Sequence, residues 1–523
     1  VGPPARDVAR HFVQRWNFIK DSKAYGRESL PFLVPKGEYV STRDESKFKG
    51  SCRVQLLRSS SAWSSGIKLE NSIYNAYCHL IRNAKHFIYI ENQFFITSSE
   101  KDTNSVVKNR IGALLFERIK EAHEKNEKFR VIVVMPLLPA FEADLNSNDA
   151  GTIRMVMHWQ YVSICRGGKS LLEKIAAEGI NPEDYISFFA LRSYDRVNQI
   201  SKDTDSKKTE NGDADSTLGS TESTIHVPDS IAQYAMDYAD DDSHERKDSF
   251  SDEKYDPHIE KGLGGTEPVR PTAMLSTDLK QAYVTEELYV HTKVLIVDDK
   301  YVICGSANLN DRSQLGSRDS EVAILIEDTK TVKSRMNGEE YDAAKFAYTL
   351  RVTLFKEHLG LLPPQHHNTM ERSSLPPMSR EEIEAFAHGK DESVSHMFDY
   401  SPDAPDSKHP TKEDLIVMDP LSDKFYNYWL ETARTNTETY RAVFRCIPDD
   451  NVRTLEQCRQ FVPDPKTVPV GHVANTQASA EDVNEKLRKI RGHLVVFPTH
   501  FLEEENLLGS VIASAVTPAE IFT

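Results

Sequence analysis

YVHTKVLIVDDKYVICGSANLNDRS, residues 289–313, predicts two neighbouring buried strands joined by a tight turn. VLIV at 294–297 is a continuous apolar run of the kind found in a strand that is buried on both faces, and YVIC at 301–304 is a second strand-like run. Asp298, Asp299 and Lys300 lie between the two runs and favour a turn. The stretch therefore predicts the interior of a sheet, with polar residues at both of its ends.

The polar residues of this stretch are suited to phosphodiester chemistry. Side chains two apart in a strand share a face, so His291 and Lys293 project together, as do Ser306 and Asn308. An imidazole can attack phosphorus or protonate a leaving alkoxide, while an ammonium and neutral donors stabilise the charge of the transition state. Gly305 permits a close backbone approach. A single His-x-Lys is more often structural, so the prediction depends on the combined pattern.

Composition sets the broad class of the chain. Its 523 residues carry a net charge of −16, but the segment from Ser201 to Glu260 alone holds 17 acidic and six basic residues. Because the acidity is concentrated there and no basic domain stands out, nucleic acid is not an expected partner. The six cysteines form no CxxC pair, which favours buried thiols in a reducing compartment. No apolar run is long enough for a membrane helix, and the first residues lack the pattern of a signal peptide.

Helix and strand patterns alternate along much of the chain and predict an α/β fold with a sheet covered by helices. The Ser-, Asp- and Thr-rich residues 198–282 predict a disordered acidic insertion, and 362–412 predicts a linker. The predicted helices cover residues 5–18, 73–85, 106–128, 152–177, 340–359, 422–435 and 480–489. The predicted strands cover residues 52–59, 87–96, 130–136, 185–193, 287–299, 301–306 and 321–328.

Several motifs together resemble the phospholipase D superfamily. HxKxxxxD at 291–298 followed by GSAN at 305–308 is similar to its HKD signature. IYIENQFF at 88–95, RDSE at 318–321, GPPARDVARHFVQRWNF at 2–18 and the closing EIFT resemble eukaryotic, fungal-like members that cleave phosphatidylcholine. The resemblance implies a phospholipase D-like lobe with a mixed sheet flanked by helices, plus a C-terminal extension.

The resemblance also implies roles for individual residues. His291 matches the motif histidine, which is a nucleophile or a general acid and base. Lys293 matches the phosphate-binding lysine, and Asp298 matches the motif aspartate, which we expect mainly to hold the local fold. Ser306 and Asn308 match positions that contact phosphate. Glu321 matches the acid that orients the histidine, although a surface carboxylate at the start of a strand is the alternative.

The superfamily mechanism uses two such histidines, and this sequence holds one HxKxxxxD motif. His388 and Lys390 give the nearest approach to a second motif, but Ser395 stands at the aspartate position, so we interpret that pair as chance. The resemblance therefore predicts the C-terminal half of a phospholipase D, with the other motif on an N-terminal half from the same gene or a second chain. The alternatives are a homodimer that builds its site from two copies and a catalytically inactive half that binds lipid or regulates.

The resemblance further predicts the organisation and the surroundings of the protein. Residues 1–47 would end a first catalytic lobe, 48–361 would form the second lobe, and 413–523 would form the C-terminal extension that packs on it. The complete enzyme would convert phosphatidylcholine to phosphatidic acid and choline, or transfer the phosphatidyl group to a primary alcohol, through a phosphohistidine. It would require no cofactor or metal and would act in the cytoplasm, peripherally on phospholipid membranes. Arg6, Arg10 and Arg15 would form a basic face for activating phosphoinositides, unless they are simply a solvated helix face.

Overall fold

The computed structural model describes residues 3–34, 50–100, 105–139, 145, 150–196, 283–362 and 410–508. The predicted insertion at 198–282 lies wholly outside these ranges, and the predicted linker at 362–412 lies outside them except at its two ends. The closing EIFT segment also lies outside the described residues.

A mixed sheet of ten strands forms the centre of the described part of the chain. Its strand order is β12-β5-β4-β3-β7-β8-β9-β1-β2, and β6 pairs with the far end of β5. The pairs β3/β4 and β4/β5 are parallel and the other pairs are antiparallel. These strands are β1 (Cys52–Ser61), β2 (Leu69–Asn71), β3 (Phe87–Asn92), β4 (Arg130–Val134), β5 (Ile186–Arg196), β6 (Tyr283–Glu287), β7 (Lys293–Val297), β8 (Tyr301–Gly305), β9 (Glu321–Asp328) and β12 (Leu494–Val496).

Helices cover both faces of the sheet, and a separate two-stranded hairpin lies beside it. The hairpin consists of β10 (Thr331–Met336) and β11 (Glu339–Ala344). The helices are α1 (Pro3–Lys23), α2 (Ala62–Ser65), α3 (Ser72–Asn83), α4 (Ile111–Glu124), α5 (Gly151–Ile164), α6 (Leu171–Ala177), α7 (Asp311–Gln314), α8 (Lys345–His358), α9 (Lys412–Val417), α10 (Asp423–Phe444), α11 (Leu455–Phe461) and α12 (Ala480–Leu487).

Alternation along the central strands divides the apolar residues between two cores. Leu295 and Val297 of β7 pack with α3, α4, α5 and α6 on one face, whereas Val294 and Ile296 pack with α8 and α10 on the other. Every residue of β3, β4 and β7 is buried, as a strand covered on both faces requires. The mixed α/β architecture expected from the sequence is confirmed.

Several predicted helices were wrong in extent, and those expected over 5–18 and 422–435 are longer, at Pro3–Lys23 and Asp423–Phe444. The helix expected over 106–128 occupies 111–124. The one expected over 152–177 is broken into α5 and α6, because Gly167 and Gly168 adopt positive φ angles and Ser170 begins a new helix with a capping box. The helix expected over 340–359 begins only at Lys345, since residues 331–344 form the β10–β11 hairpin.

The C-terminal segment is built into the sheet. β12 pairs antiparallel with β5, and Trp429 of α10 packs against Phe189 of β5 with ring centroids 5.6 Å apart. This segment contributes three residues to the sheet. Across the described ranges, each helix is too short or too polar to cross a membrane.

Candidate active site

Four strands bring His291, Lys293, Ser306, Asn308 and Glu321 to one edge of the sheet. β3 and β7 are antiparallel, so the end of β3 at Asn92 lies opposite the start of β7 at Lys293. β8 ends beside that start, and β9 begins next to β8, where Gly305 is paired with Ala323. The loop after β8 and the residues before β7 therefore meet at this edge, which is why segments remote in sequence can form one site.

Lys293 is the buried cation of this edge. The residue is 8% exposed, and its Nζ donates to Oε1 of Gln93 at 2.9 Å and to the carbonyl oxygen of His291 at 2.6 Å. Burial lowers the pKa of Lys293 to about 8, and the negative charge of Glu321 opposes that shift. The ammonium is thus held in place beside His291 and is less hydrated than a surface lysine.

His291 is exposed at the start of β7. Its ring lies beside that of Tyr289, with the centroids 6.2 Å apart and the planes inclined by 32°. Gln93 in turn donates from Nε2 to the hydroxyl of Tyr289 at 2.9 Å. An exposed imidazole on a supported backbone is accessible to a substrate.

Glu321 lies between two hydroxyl groups rather than on the imidazole. Its Oε2 accepts from Ser306, and its Oε1 accepts from Ser313 at 2.7 Å. Burial raises the pKa of the Glu321 carboxyl, while the two serine hydrogen bonds lower it. The expected contact between Glu321 and His291 is not among these bonds; instead the carboxylate joins the loop after β8 to α7.

The loop after β8 is fixed at its backbone. A Cβ on Gly305 would lie 2.5 Å from the Cα of Ala323 and from the carbonyl oxygen of Val322, so only glycine fits where β8 meets β9. The hydroxyl of Ser306 also accepts from the amide of Val322 at 3.1 Å. The close approach made by Gly305 is therefore to the neighbouring strand.

Asn92 at the end of β3 holds the segment that carries Asn308. It is fully buried, and its Oδ1 accepts from the amide of Leu309 at 2.9 Å while its Nδ2 donates to the carbonyl oxygen of Ala307 at 3.4 Å. Oδ1 of Asn308 is buried without a hydrogen-bond partner among the described residues. Asn92 therefore fixes both residues that flank Asn308.

Asp298 lies at the opposite end of β7 from Lys293. Its carboxylate accepts from the amides of Lys85, His86 and Phe87 at 2.8, 2.8 and 2.9 Å. Its φ of 54° is in the left-handed region, which aspartate tolerates better than most residues. This geometry ties the turn after β7 to the start of β3 and keeps Asp298 away from His291 along the strand.

Sequence analysis did not identify the buried polar cluster behind the site. Its centre is Glu91, a polar residue inside the otherwise apolar and buried strand β3. Its Oε1 accepts from the hydroxyl of Tyr89 at 2.6 Å and lies 2.9 Å from Nε2 of His358, at the end of α8. These contacts lower the pKa of Glu91 despite its burial, with the largest lowering contribution coming from His358. No local pattern links Glu91 with His358, which is 267 residues away.

The three arginines of α1 differ in their surroundings. Arg6 and Arg10 are exposed, and Arg10 lies 3.5 Å from Asp7. Arg15 is half-buried and donates to the carbonyl oxygen of Ser64 at 2.8 Å, which joins α1 to α2. The structure thus gives Arg15 a packing contact with α2. The His388 and Lys390 pair lies outside the described residues.

Comparison with known proteins identifies one family along this sequence. The family model described as Phospholipase D matches residues 1–234 and 253–401. Phospholipase D1 of Homo sapiens is 36% identical over 529 residues, which cover 100% of this chain and 36% of that protein. Phospholipase D2 of Bos taurus is 34% identical over 529 residues, covering 100% of this chain and 41% of that protein.

A fungal relative matches a smaller part. Phospholipase D1 of Schizosaccharomyces pombe is 36% identical over 364 residues, which cover 69% of this chain and 21% of that protein. The chain therefore spans less than half the length of these three relatives.

Proposed function

This chain belongs to the phospholipase D family, and from that premise we propose that it supplies one of the two histidine motifs of a phospholipase D. The proposed substrate is phosphatidylcholine, and the products are phosphatidic acid and choline. With a primary alcohol in place of water, the product is the corresponding phosphatidyl alcohol. His291 is the reacting group that this chain contributes, and the second histidine comes from another lobe or chain.

The proposed reaction has two steps that share one phosphorus centre. In the first, one motif histidine attacks phosphorus through a ring nitrogen, the bond from phosphorus to the choline oxygen breaks, and the other histidine gives that oxygen a proton. In the second, the now neutral second histidine takes a proton from water or an alcohol. The resulting oxygen nucleophile attacks phosphorus and releases the first histidine. His291 fits either role, because it is exposed and lies at the start of β7.

The observation that carries the proposal is the placement of the Lys293 ammonium beside His291. Lys293 is buried, held by two hydrogen bonds and next to the loop of Ser306 and Asn308. A preorganised, poorly hydrated cation stabilises the charge on a five-coordinate phosphorus more than a solvated one does, because it need not reorganise its water during the reaction. Asn308 has an amide in the same loop that could donate to a phosphate oxygen.

We propose that the chemistry needs no metal or other cofactor, so that a chelator leaves the rate unchanged. The protein would act peripherally at a cytoplasmic phospholipid surface. Arg6 and Arg10 are exposed on α1 and could contact phosphoinositide headgroups, whereas Arg15 would contribute less because it is bonded to Ser64. Vesicle binding with and without phosphoinositide, compared between the parent chain and Arg6→Ala/Arg10→Ala, tests this part.

The experiment that tests the function is a transfer assay on vesicles of phosphatidylcholine with ethanol as acceptor. The chain is assayed alone and mixed with a polypeptide that carries a second HxKxxxxD lobe. We expect phosphatidylethanol in the mixture and its loss in His291→Ala. His388→Ala is the matched control, and it should retain the rate of the parent chain.

Other outcomes of the same assay would revise the proposal. Transfer by the chain alone that rises with the square of its concentration would favour a homodimer with two copies of His291. Full retention of transfer in His291→Ala, or its loss in His388→Ala, would overturn the proposed role of His291 as the single motif histidine of this chain.

A further inference from the structure

Gln93 connects two groups that flank His291 in the sequence. Its Oε1 accepts from Nζ of Lys293 at 2.9 Å, and its Nε2 donates to the hydroxyl of Tyr289 at 2.9 Å. A lysine ammonium has no acceptor, so the amide must turn its oxygen toward Lys293 and its nitrogen toward Tyr289. Only an amide side chain of this length satisfies both ends at once.

The two hydrogen bonds of the Gln93 amide, to Lys293 and to Tyr289, form a bridge whose two ends affect His291 in different ways. Tyr289 lies beside the imidazole, with the ring centroids 6.2 Å apart. Lys293 donates to the backbone carbonyl of His291 at 2.6 Å. The orientation of the histidine ring and the position of the ammonium are thereby connected through Gln93.

The hydrogen bonds of Lys293 determine how its ammonium can meet a phosphate oxygen. An ammonium has three N–H groups, and within the described structure its bonds to Gln93 and to His291 use two of them. The third is directed by the other two. A phosphate oxygen that approaches the site would meet an N–H whose direction is already set, which reduces the entropy lost on binding.

We propose that Gln93 is a positioning residue that fixes the Lys293 ammonium for a phosphate oxygen and, through Tyr289, supports the ring of His291. This inference rests on the proposed function for the identity of the bound group, a phosphodiester. Gln93 itself need not touch the substrate. Gln93 directly follows β3, so the end of this strand sets where the reacting groups are held.

The test uses readouts that need no turnover. The titration of Lys293 is followed by NMR of the chain with ¹³C-labelled lysine side chains, with Lys293→Arg to assign the signal. Binding of inorganic phosphate is measured by calorimetry on the same samples. The variants are Gln93→Leu, Gln93→Glu, Tyr289→Phe and the double variant Gln93→Leu/Tyr289→Phe. Gln14→Leu is the matched control, since Gln14 is also half-buried and hydrogen-bonded at both ends of its amide, to Arg58 and to Ser65.

We expect Gln93→Leu to weaken phosphate binding about tenfold, since one hydrogen bond to a charged group is lost. Gln93→Glu should raise the midpoint of the Lys293 titration by about one pH unit, because a second carboxylate joins Glu321 near the ammonium. If Tyr289 acts through Gln93, the double variant should bind phosphate no more weakly than Gln93→Leu alone. Gln14→Leu should match the parent chain in both measurements.

Unchanged Lys293 titration and phosphate affinity within twofold in Gln93→Leu would overturn the proposal. So would additive losses in the double variant, since Tyr289 would then act independently of Gln93. Absence of phospholipid cleavage in every mixture would overturn the proposed function, but the titration of Lys293 in the variants would still decide the role of Gln93.

Discussion

Replacing Asp298 tests whether the motif aspartate holds the fold or takes part in the reaction. Its carboxylate accepts three backbone amides at 2.8–2.9 Å, two of them at Oδ1 and one at Oδ2. Asp298→Asn keeps a side chain that tolerates the φ of 54° and keeps an oxygen for two of the amides. The other end of the asparagine side chain is an NH₂ group, which cannot accept a hydrogen bond. The amide of Lys85 therefore loses its acceptor.

The magnitude follows from these contacts. A hydrogen bond to a charged group contributes roughly 1.5–3 kcal/mol, so Asp298→Asn should cost about 2–3 kcal/mol from the lost bond and the weaker neutral acceptor. Asp298→Ala should cost about 4–6 kcal/mol, because all three amides lose their acceptor and alanine disfavours a left-handed φ. If the free energy of opening the segment that holds these amides falls by 2–3 kcal/mol, hydrogen exchange there becomes roughly 30- to 150-fold faster.

Hydrogen exchange measured by mass spectrometry on peptides that cover residues 84–92 detects this opening directly. Asp342→Asn is the control, since Asp342 is exposed and its ion pair with Lys333 lies at the surface. Exchange in Asp298→Asn within threefold of the parent chain would refute the structural role. Loss of transfer activity by more than about a hundredfold with unchanged exchange would instead place Asp298 in the chemistry.

Three further predictions concern pH and the support of the site. Cleavage should fall about tenfold per pH unit above pH 8, because the buried ammonium of Lys293, with its pKa of about 8, loses its proton there; a flat pH–rate profile up to pH 10 would contradict this. Burial raises the pKa of Glu287 to about 7, so between pH 4.5 and 7 the folded chain retains a proton that the unfolded chain releases. The free energy of unfolding should therefore fall by about 3 kcal/mol as the pH rises from 4.5 to 7. Glu287→Gln should remove that fall in urea unfolding at the two pH values, and an equal fall in the variant would rule out Glu287 as its source. Asn92→Ala should lower the free energy of unfolding by about 2–4 kcal/mol and speed hydrogen exchange at 305–310, since the amides of Leu309 and Phe94 lose their acceptor; unchanged exchange there would contradict the anchoring role.

The strands around the site could be predicted because their sequences are distinctive. The apolar run of β7, the turn residues after it and the buried β3 produce local patterns that fix type and approximate extent. The β10–β11 hairpin was missed although its turn carries a recognisable signal. Asn337 and Gly338 both have positive φ, and Asn-Gly between two strands is typical of a two-residue hairpin turn. The helical pattern after it outweighed that signal in the prediction.

The partners of individual side chains were less accessible to sequence reasoning. That Glu321 bonds Ser306 and Ser313 depends on the pairing of β8 with β9 and on the short helix α7. The contact between Glu91 and His358 requires α8 to pack across the sheet. Such contacts follow from tertiary packing, so the residue types can be predicted from the sequence while the pairs cannot.

The central claim is that this chain provides one histidine of a two-histidine phospholipase D site. The most direct measurement is the rate of phosphatidyl transfer to ethanol by chain that has been fractionated as a monomer, followed over a range of protein concentrations. The account predicts no transfer by the monomer and a rate that appears when a second HxKxxxxD lobe is added. Transfer by the monomer alone, linear in its concentration and lost in His291→Ala, would contradict it.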